Sequence, residues 1–445
     1  MQQLQTKTDT GGTSALLNRF AGTDTGRAAG MAAAMIATNV IALAFTIVFA
    51  RLLGASGYGS LAALVSTFLI LAVPGSAVQI QVAREIGREL AQGRDAPAAA
   101  VRHWTERLLV ATAIATIAGV LLREPLASLV GVDEVPWAAA ATLPSAALWV
   151  VVCVQRGALQ AFQRYRLVGS SLVGEASGRL VLGVILELVG LGVTGAFLGT
   201  AASLAVVALV LGAQLRRQLA GAHSERAFDP GARLRELLRR AETPLIALAL
   251  IAVLQNIDLI VVKHNANGDP AGSYAAAAVA AKVPIWVALG LGMYLLPEAA
   301  RRVSVGVDAR PVLVRTLAVI AAISVPMVLF YAVAGKPLLR AVFGDDLTLA
   351  SDALPLLGLA MSLLAATFLA VQYLLALHRR RFLWLLAAAA GLDPVLVNAM
   401  GSNLTDVALV LVCLQVVLAV AMLVSAFRAK AEEHDEAREY DRAAP

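Results

Sequence analysis

The chain has 445 residues, of which 59% are hydrophobic and only 15% charged, and its mean hydropathy is +0.77. Soluble domains carry roughly 25% charged and 45–50% apolar residues, so this composition excludes a soluble multidomain protein and describes a polytopic membrane protein. The net charge of +6 does not point to nucleic acid, because the basic residues fall in short gaps between apolar stretches and form no patch.

Residues 1–27 are rich in Thr, Gly and Ser and read as a disordered cytoplasmic tail. Each bilayer crossing needs about 20 mostly apolar residues. That window gives six spans in an N-terminal lobe over 28–214, near 28–50, 59–80, 106–122, 137–154, 167–190 and 191–214. A cytoplasmic linker, 215–242, follows. Its Leu234, Leu237 and Leu238 share a helical face ringed by arginines, the pattern of a basic amphipathic helix on an anionic leaflet. Six more spans form a C-terminal lobe over 243–427, near 243–264, 273–296, 312–334, 353–377, 382–400 and 405–427, before a charged cytoplasmic tail, 428–445. The first apolar run, Met31 to Ala50, is too long for a signal-peptide core. The expected fold is therefore all-α, about 12 transmembrane helices in two parallel six-helix lobes around a central cavity.

The basic residues orient this array. Of the 36 Lys and Arg, only Arg51, Arg123, Lys263, Lys336 and Arg340 fall on one side of the predicted membrane, and only Arg179 and Lys282 fall inside spans. All the rest, including Arg156, Arg164 and Arg166 after the fourth span, lie on the other side. Both termini are expected in the cytoplasm, and the protein in the cytoplasmic membrane of a bacterium. The cysteines, Cys153 and Cys413, sit inside apolar segments, and the five histidines are scattered. No metal site, cofactor or catalytic residue is expected.

The two halves resemble one another at an offset of about 215 residues. Gly54-Ala55-Ser56-Gly57-Tyr58-Gly59 after the first span matches Gly268-Asp269-Pro270-Ala271-Gly272-Ser273-Tyr274 after the seventh: a Gly-rich turn, then a Tyr opening the next helix. With six spans per half the repeat is parallel, an arrangement that transporters use to alternate access around a central site.

The run Phe49-Ala50-Arg51-Leu52-Leu53-Gly54-Ala55-Ser56-Gly57-Tyr58-Gly59 resembles the first-loop signature of Wzx-type polysaccharide exporters. These belong to the multidrug/oligosaccharidyl-lipid/polysaccharide flippase superfamily. Asn256-Ile257-Asp258-Leu259-Ile260-Val261-Val262-Lys263 with the following Ala271 to Ala276 is similar to that family's seventh-to-eighth helix segment. The resemblance implies two six-helix bundles around a V-shaped cavity. It also implies a substrate that is a glycan on a polyprenyl-pyrophosphate carrier, moved between leaflets.

Ionisable groups at bilayer depth are functional candidates by default. Glu175 lies one turn before Arg179, an order that favours an ion pair within the helix; alternatively Arg179 faces the cavity and meets the carrier's pyrophosphate. Asp258 lies ~9 Å below the outer end of its helix and Lys282 ~13 Å below the start of the next, so a salt bridge between them would serve coupling, gating or simple cohesion. Asp393, beside Pro394, is a coupling site or a neutral acid in a broken helix. The expected cavity set is Arg179, Lys282, Asn39, Asn256, Gln372 and Arg51, with Asp258, Glu175 and Asp393 for ion coupling or gating. Asn398 is a further polar residue at depth. Pro74, Pro144, Pro284, Pro326 and Pro394 are candidate kinks.

The implied partners are the polyprenyl-pyrophosphate-linked glycan, membrane lipids and polysaccharide-assembly enzymes, with no nucleic acid and a monomeric chain. The alternatives are a cation-coupled multidrug exporter of the same architecture, or a membrane glycosyltransferase or ligase using the outer acids Asp133, Glu134, Asp345 and Asp346.

Overall fold

A computed structural model describes residues 24–92, 97–219, 242–266 and 268–443. Ten stretches in it are helical, long and apolar enough to cross a membrane. Two of them are too long for one crossing. Ala29–Ala91 has 63 residues and Tyr165–Arg217 has 53. At 1.5 Å per residue the longer would reach ~95 Å, about three times the ~30 Å hydrocarbon core. Each contains a glycine break. Gly54 has φ 66°, and Gly190 and Gly192 have φ 96° and 51°, a left-handed region that costs glycine little. Counting each as two gives the twelve crossings expected from sequence.

In chain order the N-terminal lobe comprises α1 (Asp24–Ala91, two limbs about Gly54), α2 (Pro97–Leu121), α3 (Arg123–Val130), α4 (Pro136–Ala140), α5 (Thr142–Ala161), α6 (Tyr165–Leu186) and α7 (Gly192–Leu219). A π turn, Glu187–Leu191, joins the last two. The C-terminal lobe comprises α8 (Glu242–Asn265), α9 (Asp269–Ala281), α10 (Val283–Ser304), α11 (Arg310–Phe343), α12 (Leu354–Ala376), α13 (Phe382–Ala399) and α14 (Leu404–Ala443).

Each lobe has its own apolar core. One gathers residues from Phe45 to Leu215. The other gathers residues from Ala247 to Ala429 and also takes Ala50, Ala55, Tyr58 and Ala62 from the α1 elbow. The elbow is thus the N-terminal lobe's foothold in its partner, and α1 packs against α8 and α9. Outward-facing apolar side chains such as Val333, at 89% exposure, and Leu121, at 75%, meet lipid. Where helices meet within a lobe, small residues permit close approach: a Cβ on Gly199 of α7 would come within 2.5 Å of the Gly183 backbone of α6.

Several details differ from the sequence reading. Helix begins at Asp24, inside the expected tail, and α14 continues to Ala443 through the expected solvated tail. The eighth span is two helices, α9 and α10, broken at Lys282, with Pro284 in the first turn of α10. Proline lacks the N–H of a helix interior and is tolerated in a first turn, so Pro284 marks a new start. Pro74 and Pro394, by contrast, lie inside helices without a non-helical residue beside them. The expected amphipathic linker helix lies outside the described residues.

Candidate translocation site

The C-terminal lobe buries a polar cluster between α8, α9 and α13. Lys282 sits at the α9–α10 break, where its ammonium donates to Asn256 Oδ1 at 2.9 Å. Asn256 in turn donates to the Ala252 carbonyl one turn earlier. Tyr274 donates its hydroxyl to Asp258 Oδ2 at 2.7 Å. The expected direct Asp258–Lys282 bridge is not formed: Asp258 accepts from Tyr274 and Lys282 donates to Asn256, while the two charges still act on one another. Asp258 Oδ1 and both oxygens of Asp393 are buried without a hydrogen-bond partner among the described residues, and Asp393 is fully buried. Asp393 interacts electrostatically with Asp258 and Tyr274, so the cluster holds two acids, one amine, a phenol and an amide.

The N-terminal lobe carries a second cluster between α5, α6 and the first limb of α1. Arg156 is 1% exposed. Its Nη2 donates to Glu175 Oε2 and to the Ser171 carbonyl, and its Nε to Ser171 Oγ, each at 2.9 Å. Its guanidinium also lies 5.6 Å from the Trp149 ring centroid. The expected Glu175–Arg179 pair is therefore corrected: Glu175 turns to α5. Arg179 instead stacks 4.6 Å from the Phe45 ring centroid, and its Nε is buried without a hydrogen-bond partner among the described residues. Sequence reading placed Arg156 in a loop because the apolar window ended at 154, whereas α5 continues to Ala161. A helix carried one turn past the window would have revealed it.

The two clusters belong to different lobes. Of the other expected residues, Asn39 is exposed on the first limb of α1, and Gln372 is half-buried on α12, facing Gly292 of α10. Asn398 lines a groove between α3, α8 and α13 with Ser128, Leu129, Ile260 and His264. Arg51 is exposed and donates to the Ala341 and Val342 carbonyls at 3.0 and 3.3 Å. It therefore joins the lobes at the basic-poor end of the bundle and takes part in neither cluster's hydrogen bonds.

That end holds a further contact the sequence did not suggest. Glu134, in the α3–α4 connection, accepts from Ser60 of α1 at 2.6 Å and pairs with Lys263 of α8 at 3.0 Å. Partial burial pushes the Glu134 carboxyl up, but the Ser60 hydroxyl, its own backbone and Lys263 together hold it below the usual glutamate range. Among the described residues no group of His, Cys, Asp and Glu could hold a metal ion.

A family profile described as polysaccharide biosynthesis protein matches residues 28–301. No curated protein matches the chain by sequence. Among solved structures, an inward-facing multidrug resistance MATE family transporter of the MOP superfamily is similar at 16% identity, with 88% of this chain and 95% of that chain covered and a TM-score of 0.74. An outward-facing structure of such a transporter gives a TM-score of 0.62 at 16% identity, covering 93% and 98%. The lipid II flippase MurJ, in an inward closed conformation, gives 0.67 at 12% identity, covering 89% and 87%. With more than half of its length matched by the family profile, the chain belongs to the polysaccharide biosynthesis protein family, and its fold is similar to that of the MATE transporter and MurJ structures.

Proposed function

We propose that the protein is a flippase that moves a polyprenyl-pyrophosphate-linked oligosaccharide from the cytoplasmic to the outer leaflet by alternating access, for cell-surface polysaccharide biosynthesis. The observation that carries this reading is Arg179. Its guanidinium sits mid-helix against Phe45, while the nearest acid on its own helix is engaged by Arg156. Glu175 still acts on Arg179 electrostatically, but no ion pair joins them; a cation at bilayer depth without a hydrogen-bonded counter-ion is costly, and a planar guanidinium suits a pyrophosphate. The family match and the likeness to a lipid II flippase support the class of substrate.

On this reading the protein performs no covalent chemistry, works as a monomer beside polysaccharide-assembly enzymes, and lies in a bacterial cytoplasmic membrane. The basic-rich end and both termini face the cytoplasm, in keeping with the distribution of Lys and Arg. Direction would come from an ion: an ionised Asp393 with no donor costs several kcal/mol at depth, and a proton or a small cation would relieve it. The higher TM-score to the inward-facing than to the outward-facing transporter supports an inward-facing state.

The multidrug-exporter reading has its own support in the 0.74 likeness to a multidrug resistance transporter. Purified protein in vesicles separates the two. The flippase reading expects a labelled polyprenyl-pyrophosphate oligosaccharide to change leaflet and Arg179→Ala to abolish this. Transport of cationic drugs without any lipid movement would favour the exporter.

A further inference from the structure

At the basic-poor end the two repeat-related glycine loops pack directly on one another. Gly272 opens into the backbone of the α1 elbow: a Cβ there would overlap the carbonyl oxygen of Ala55. A Cβ on Gly59 would lie 2.9 Å from the Gly272 nitrogen. Neither glycine has a positive φ, so the turn itself does not require glycine at these positions. Only the approach of the other lobe does.

Around this contact four further links bind one lobe to the other. Glu134 pairs with Lys263, whose side chain is only 3% exposed. Arg51 donates to carbonyls at the end of α11. Tyr58 meets Phe343, ring centroids 6.5 Å apart. Gly131, with φ 76°, abuts the His264 backbone.

We propose that this seam is the closed gate of the basic-poor mouth, with Gly272 its steric bolt and the Glu134–Lys263 pair its polar one. The proposal rests on the alternating-access reading above. Lys263 is buried and paired while the gate is shut; parting the lobes would give both charges to water, so the bond favours closure without making it permanent. Gly272 discriminates between the states more sharply, because a side chain there clashes in the closed state and meets nothing once the elbow withdraws. A ligand or substitution shifts such an equilibrium only by its difference between the two states, and Gly272 supplies that difference sterically.

The test places a reporter thiol in the elbow one turn after Tyr58, Ala62→Cys, in a Cys153→Ser/Cys413→Ser background, and adds a membrane-impermeant maleimide from the basic-poor side. Ala62 is packed into the C-terminal lobe's core in the closed state. Labelling should be slow in this parent and rise at least ~10-fold with Gly272→Val. Gly290→Val, where an added Cβ meets nothing, should leave it unchanged. Unchanged labelling in well-inserted Gly272→Val would overturn the proposal.

A second arm does not depend on how well that variant folds. Glu134→Cys paired with Lys263→Cys, bridged by a short bifunctional methanethiosulfonate, should halt opening, and dithiothreitol should restore it. Bridged protein that still exposes the Ala62→Cys thiol as fast as the unbridged protein would equally overturn the gate. Both arms read accessibility and not substrate movement, so the glycan assignment can fail while the gate stands.

Discussion

Glu175 gives its carboxylate to Arg156, 2.9 Å away on the neighbouring helix, and not to Arg179 one turn along its own. The two arginines of the N-terminal lobe thereby acquire different roles. Arg156, enclosed and hydrogen-bonded, ties α5 to α6. Arg179 keeps its charge for something outside the pair.

This division predicts opposite phenotypes. Arg156→Met leaves a half-buried carboxylate without its cation, a change that costs about 3 kcal/mol for a buried pair. Thermal unfolding in detergent should show that loss as a lower Tm. Arg179→Ala removes only a stacking contact of about 1 kcal/mol, so Tm should hold nearly constant while lipid flipping disappears. Similar Tm losses for both would contradict the division.

In the C-terminal lobe, Tyr274→Phe removes the one side-chain donor that Asp258 has among the described residues, at Oδ2. A buried acceptor orphaned in this way costs about 1–3 kcal/mol, readable as reduced unfolding stability. Asp393 has no hydrogen-bond partner to lose among the described residues. Asp393→Asn should therefore keep or raise stability, yet remove the dependence of transport on an ion gradient. A gradient-dependent Asp393→Asn protein would show that coupling lies elsewhere.

The seam bond has a definite acid limit. Glu134 is held below the usual glutamate range, so its favourable contribution is complete above the ordinary value of about 4.3 and is lost only as pH falls through the lower folded-state value. The charged group set against it is Lys263. The maleimide rate of Ala62→Cys, divided by that of a fully exposed reference thiol at the same pH, should thus be the same at about pH 7.5 and pH 5.5, the division removing the ordinary loss of thiolate. It should change only on stronger acidification; a transition near neutrality would show that another group governs the seam.

Close packing of α6 on α7 gives a purely structural prediction. A leucine at Gly199 must displace the Gly183 backbone, and overpacking of this kind costs about 1–3 kcal/mol or more. Expression and Tm should fall for Gly199→Leu, whereas Gly174→Leu, where an added Cβ finds open space, should be tolerated.

Much of the fold was legible because apolar length and arginine placement are one-dimensional signals. The crossings near 28–50 and 59–80 emerged from composition even though the structure joins them in one long α1. What sequence could not give were the partners. Arg156 was misplaced because span ends are set by packing on Ser171 and Glu175, which no window sees. Depth along the helices pairs Asp258 with Lys282, but depth does not show that Tyr274 donates to Asp258 and that Asn256 accepts from Lys282. Glu134 and Lys263 lie more than a hundred residues apart, in different lobes. The glycines of the two matched loops were noticed as a repeat. That the loops touch required the arrangement of both lobes.

The most direct measurement of the central claim is the leaflet distribution of lipid-linked oligosaccharide in cells depleted of this protein. The account predicts that the intermediate accumulates on the cytoplasmic leaflet, shielded from a glycan-cleaving enzyme added outside, and that restoring the protein, but not its Arg179→Ala variant, returns it to the outer leaflet. An unchanged distribution on depletion, with surface polysaccharide made normally, would contradict it.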